Sequence, residues 1–169
     1  MKKKLLFAAL TCAFASFAID TKAQETAQAT ATATIVTPIS ITKDVDMNFG
    51  NVAVRSTAGG TVVLTPAGVR TSTGGVTLPT DAGTVAAASF TVTGVDGYSY
   101  SITLPTSAVT LTSGANTMTA TTFTSDPSGT GTLTGGTQTL NVGATLNVAA
   151  AQPAGTYVSG AFDVTVNYN

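Results

Sequence analysis

The chain has 169 residues, the size of one ordinary domain; 43% are hydrophobic, but only 9% are charged, where about a quarter is usual. Thirty-five threonines and 17 glycines stand beside no histidine and no tryptophan, and seven basic residues face eight acidic ones. That balance excludes a cationic surface for nucleic acid, and abundant Thr and Val with few helix formers favour pleated sheet.

Lys2, Lys3 and Lys4 precede an apolar run from Leu5 to Phe17. This is the pattern of a secretory signal, and the run falls short of the about 20 residues that a spanning helix needs. Small-x-small cleavage fits after Ala18 and after Ala23; the second is preferred, making residues 1–23 a cleaved signal peptide. Thr11 is larger than the small residue expected before a lipidated cysteine, which argues against that role for Cys12. Without the leader, three basic residues remain against seven acidic ones, a net charge of −4, with no cysteine and no membrane span. Thiol chemistry and Cys/His zinc sites are excluded. The expected location is extracellular or on the outer cell surface.

Residues 24–37 form an extended, nearly uncharged arm in which Ala27, Ala29, Ala31 and Ala33 alternate with Gln28, Thr30, Thr32 and Thr34 and lead into Ile35. Two readings fit it: a first strand of the chain's own sheet, or a strand held for another molecule.

From residue 38 to residue 169 the dominant period is two, and no window keeps a helical period. Val45, Met47 and Phe49 alternate with Asp44, Asp46 and Asn48; Phe90 and Val92 alternate with threonines; Tyr98, Tyr100, Ile102 and Leu104 stop at Pro105. Leu140, Val142, Ala144, Leu146, Val148 and Ala150 share one phase, and Phe162, Val164, Val166 and Tyr168 share another. Asp96-Gly97, between two such runs, predicts a hairpin. Short strands separated by Gly, Pro and Asp turns predict an all-β, immunoglobulin-like antiparallel β-sandwich; an up-and-down β-barrel is the alternative.

Catalysis finds little support. General acid–base work needs an imidazole or paired carboxylates, and the carboxylates here stand singly beside turn residues. No nucleophile elbow, phosphate loop or dinucleotide fingerprint occurs. Asp44 to Gly50 resembles the start of a calcium loop, but the sixth and twelfth places hold Phe49 and Arg55 instead of Gly and Glu. A strand with Asp44, Asp46 and Asn48 on its wet face is the better reading. No cofactor and no metal site is expected. The aromatic residues share phase with aliphatic ones and read as core; Tyr157, out of phase with Phe162, is placed on an exposed face.

Two stretches carry a family resemblance: Ala31 to Thr42 followed by Asn48-Phe49-Gly50, and Leu140 to Val148 with Ala154 to Tyr157 and Phe162 to Tyr168. With the signal peptide they resemble the exported bacterial family called domain of unknown function 4402, which is similar to the spore-coat-U and archaic chaperone–usher pilin group. The resemblance implies an incomplete immunoglobulin-like fold completed by a neighbour's N-terminal extension. Ala27, Ala29, Ala31, Ala33 and Ile35 would then be donor side chains. Phe162, Val164, Val166 and Tyr168 would form the terminal strand with which a periplasmic chaperone pairs before assembly.

The expected function is that of a non-enzymatic secreted or cell-surface structural or adhesive protein, a pilin-like subunit assembling with itself by strand addition. The alternative is a monomeric extracellular module that binds glycan or a host surface through loops such as 70–84 or 124–137.

Overall fold

Alternating apolar and hydroxyl-bearing residues give each strand one face to bury and one to leave wet. The computed structural model describes residues 24–169, and the signal-peptide reading falls outside them. Residues 24–34 contain no strand and their side chains are exposed. Ile35–Asn169 forms a separate compact unit holding every strand described below.

In chain order these are β1 (Ser40–Val45), β2 (Ala53–Val54), β3 (Gly60–Leu64), β4 (Arg70–Gly74) and β5 (Val76–Thr77). Then come β6 (Ala88–Thr93), β7 (Ser99–Thr103), β8 (Val109–Ser113), β9 (Asn116–Asp126) and β10 (Thr130–Thr132). β11 (Thr137–Val148), β12 (Val158–Ser159) and β13 (Thr165–Tyr168) complete the set. Every pairing is antiparallel. The large sheet runs β1-β6-β11-β9-β8-β12, with β3 added to β11 and β4 added to β3. A smaller sheet, β10-β7-β13, packs over one end of it, and β2 pairs with β5. The architecture is the expected β-sandwich.

β11 organises the large sheet. Its first half pairs with β6, its second half with β3, and its opposite edge with β9. The handover falls at Gly143, where a Cβ would stand 2.1 Å from the Leu64 carbonyl oxygen. Only glycine lets β3 end so close to β11. On its inner face Leu140, Val142, Ala144, Leu146 and Val148 are all buried. Burying each Leu or Val side chain contributes about 1.5–3 kcal/mol.

The core has two clusters. One gathers Val62, Leu64, Val76, Leu146 and Val148 around Phe49; the other sets Phe90, Val92, Leu140 and Val142 against Tyr100, Leu133 and Val166 of the small-sheet side. Met47 and Phe123 pack against both. The Tyr100 hydroxyl, in a fully buried side chain, donates to Gln138 Oε1 at 2.8 Å. Gln138 Oε1 also accepts from the Thr132 amide at 3.0 Å.

The hairpin expected at Asp96-Gly97 is corrected. β6 has both edges occupied, by β1 and β11, and β7 pairs instead with β10 and β13. The turn therefore carries the chain from one sheet to the other. It is held by the Gly97 amide on Leu133 O and by the Gly135 amide on Asp96 Oδ1, at 2.8 and 2.7 Å.

Two outcomes follow. Gly143→Ala should lower unfolding free energy in urea by about 1–3 kcal/mol, as overpacking against fixed backbone does. Burial raises the Tyr100 pKa, so the folded state holds that proton more tightly than the unfolded chain. The associated stability is full below the unfolded value of about 10 and is lost as pH climbs towards the folded one. The denaturation midpoint should fall above about pH 10, and less steeply in Tyr100→Phe.

Candidate functional site

An apolar cleft of about 1190 Å³ opens beside the first core cluster. That exceeds the usual range for small-molecule sites, roughly 300–1,000 Å³. Val109 and Leu111 of β8, Met118, Ala120 and Phe123 of β9, and Leu146 and Val148 of β11 line it. The stretch from Lys43 to Val54 forms one wall and the stretch from Gln152 to Phe162 another. Met47 and Met118, the only methionines after residue 1, both face it. Val45 and Val158 also line the cleft and are 43% and 63% exposed, so apolar side chains on both walls stand open to solvent.

The first wall is built by the Asn48-Phe49-Gly50 motif. Asn48 bridges Ala86 through both of its backbone groups, at 2.8 and 3.0 Å. Its Oδ1 accepts the Gly50 amide at 2.8 Å, closing an Asx turn. Gly50 adopts φ +66°, and a Cβ there would lie 2.3 Å from the Ala82 carbonyl oxygen. Phe49 is buried in the first core cluster and also borders the cleft. Arg70 of β4 reaches across to donate from one Nη1 to the carbonyls of Phe49 and, at 2.9 Å, Asn51.

A bulge shapes the floor. Opposite β11 the register shifts between Gly143 and Thr145, so Thr122 and Phe123 both face Ala144. Thr122 takes φ +50°, a strained conformation for a β-branched residue. The extra residue switches the inward phase from Met118 and Ala120 to Phe123 and Ser125, which is how bulges re-aim side chains. Phe123 then meets Phe162 with ring centroids 5.3 Å apart.

The second wall is weakly tied. β12 adds only two residues to the edge of β8. Tyr157 donates its hydroxyl to Pro153 O at 2.8 Å and accepts from Gln152 Nε2 at 2.9 Å, closing the preceding loop. From Gly160 to Val164 no residue makes a backbone–backbone hydrogen bond with another described residue. On the facing wall Asp46 and Met47 make none either, and none joins β1 to β13. Unpaired main chain on both sides of an apolar trough is a template for another strand.

The expected terminal strand is shorter than its pattern. Phe162, Val164, Val166 and Tyr168 do pack against one core cluster, but only Thr165–Tyr168 pairs, with β7. Tyr168 is a clamp: its hydroxyl donates to Thr37 O at 3.1 Å and accepts the Val95 amide at 2.7 Å. Ala27, Ala29, Ala31, Ala33 and Ile35 are exposed and lie in no strand, and Ile35 is 97% exposed. Val45 does not enter the core as its phase implied, because it faces the cleft. Tyr157 is half-buried at the cleft instead of lying on an exposed face. The proposed binding loops contain strands: β4 and β5 occupy much of 70–84, and β9 and β10 much of 124–137. Among the described residues no three acidic side chains gather to hold a metal ion. Asp44 instead accepts from Thr91 Oγ1, and Asp46 from Lys43.

A family model described as Domain of unknown function (DUF4402) matches residues 39–168. The chain belongs to that family. No curated protein and no solved structure matches it.

Gly50→Ala should cost about 1–3 kcal/mol in chemical denaturation, from the positive φ and the Ala82 carbonyl together. Thr122→Gly should leave stability unchanged or raise it by about 1 kcal/mol, since the bulge then loses its strained φ. A loss above 1 kcal/mol would contradict this account of the bulge.

Proposed function

We propose that this family member is a non-enzymatic exported subunit of a surface fibre or adhesive coat, and that copies join by strand addition. The arm of one copy, residues 24–37, lies in the cleft of the next. The observation that carries the reading is the unpaired main chain from Gly160 to Val164 beside the apolar cleft.

Fourteen extended residues reach about 45 Å, ample to run along a domain. Alanine methyls bury little area, so main-chain hydrogen bonds to both walls supply most of the affinity, as in other strand additions. A kinship of the family with spore-coat-U and chaperone–usher pilins, expected from the sequence motifs alone, would fit the same arrangement. It adds a periplasmic chaperone, which would pair with the edge carrying Phe162, Val164, Val166 and Tyr168 until the arm replaces it. The charge pattern at Lys2 to Lys4 and the apolar run after it support export.

The test compares the chain from Gln24 with one starting at Pro38, by size-exclusion chromatography and by detergent gels with and without boiling. A discrete ladder that requires the arm and collapses only on boiling is the expected result. Identical assembly of both chains would overturn the reading. A monomeric chain that unfolds without its arm would favour a self-contained surface-binding module.

A further inference from the structure

We infer that Arg70 is a positioning residue for the cleft: its guanidinium, given room by the missing side chain at Gly50, fixes the middle of the wall against which an incoming strand must pair. The inference rests on the strand-addition reading of the cleft.

Arg70 stands on β4, does not line the cleft, and has no carboxylate within ion-pair distance among the described residues. Its Nη1 instead serves two main-chain acceptors, Phe49 O and Asn51 O, on either side of Gly50. The approach has no room to spare: a Cβ on residue 50 would stand 3.0 Å from that nitrogen. A charged donor to a carbonyl is stronger than a neutral one, and a planar guanidinium holds its direction where an ammonium does not. The wall is also held at its two ends, where Lys43 and Val45 pair with β6 and Ala53–Val54 with β5. Its middle has the Asn48 turn, the Asn48–Ala86 bridge and the bonds from Asn51 to Ala82 O and Asp81 O, and the bonds to residues 81–86 reach the loop between β5 and β6. Arg70 ties that middle directly to a sheet strand, β4, whose partner β3 is registered on β11. Its side chain therefore holds residues 49–51 at a set distance from the cleft floor.

The experiment uses the chain from Gln24 to Asn169, with Arg70→Gln and Arg70→Lys. Hydrogen exchange by mass spectrometry is read over residues 46–54 and, as an internal control, over β7 and β13. Assembly is read on unboiled gels well below each variant's thermal midpoint. Losing both carbonyl contacts should speed exchange over 46–54 by about tenfold or more, with the control unchanged. The ladder should shorten in Arg70→Gln and recover partly in Arg70→Lys, which keeps one charged donor. Destabilisation of the whole domain would instead speed exchange in the control segments too, and that result overturns the inference. A normal ladder in a folded Arg70→Gln overturns it as well. If the unsubstituted chain forms no ladder, strand addition fails. Local exchange then decides Arg70 alone: faster exchange confined to 46–54 sustains its hold on the wall, and unchanged exchange ends it.

Discussion

The fold depends on one twelve-residue strand having both edges occupied. β11 takes β6 and β3 in succession along one edge and β9 along the other, so the registers of the large sheet are fixed against it. Because side chains alternate with period two, that registration decides which threonines face water and which apolar residues face the core. Gly143 is the point where two neighbours share one edge. The bulge at Thr122 answers it across the sheet, keeping β9 paired while changing its phase. Both irregularities lie within one stretch of the same pairing, and the cleft receives Phe123 because of them.

The outer surface of the large sheet shows why a chain so poor in charge still holds together. Asn147 Nδ2 donates to the hydroxyls of Thr119 and Thr121, Thr61 pairs with Thr73, and Ser40 pairs with Thr93. These cross-strand hydroxyl ladders add a few tenths to about 1 kcal/mol each. The Lys43–Asp46 ion pair is exposed and contributes little. Threonine replaces ion pairs as the lateral fastening of the sheet.

Much of this was legible in the residues. Period-two runs named the inner faces of β6 and of β11 as far as Val148 correctly, since burial is what alternation reports; on the β7 and β13 side Tyr100 and Val166 are buried, Ile102, Val164 and Tyr168 are half-buried, and Tyr98, expected in the core, is exposed. The hairpin at Asp96-Gly97 was misleading because turn chemistry is local, whereas pairing depends on which edges remain open. Asp96 is spent on Gly135, a partner 39 residues away that no local pattern reveals. The cleft was illegible for a similar reason: Val45 and Val158 obey the same alternation as buried residues, and only the sheet order shows that among the described residues no strand covers them. Arg70 left no signal either, because a cation serving carbonyls has no acidic partner to mark it. The jump from Ala120 to Phe123 was the one visible trace of the bulge.

The placement of sulfur has a redox consequence. After residue 23 the chain has no cysteine and only Met47 and Met118, and both border the same cleft. Oxidising a thioether to its sulfoxide turns a pliable apolar side chain into a polar one. After residue 1 that change falls nowhere else. Peroxide would leave the hydroxyl ladders and β11 untouched while making the trough less apolar, so oxidative damage is concentrated on the surface that remains open.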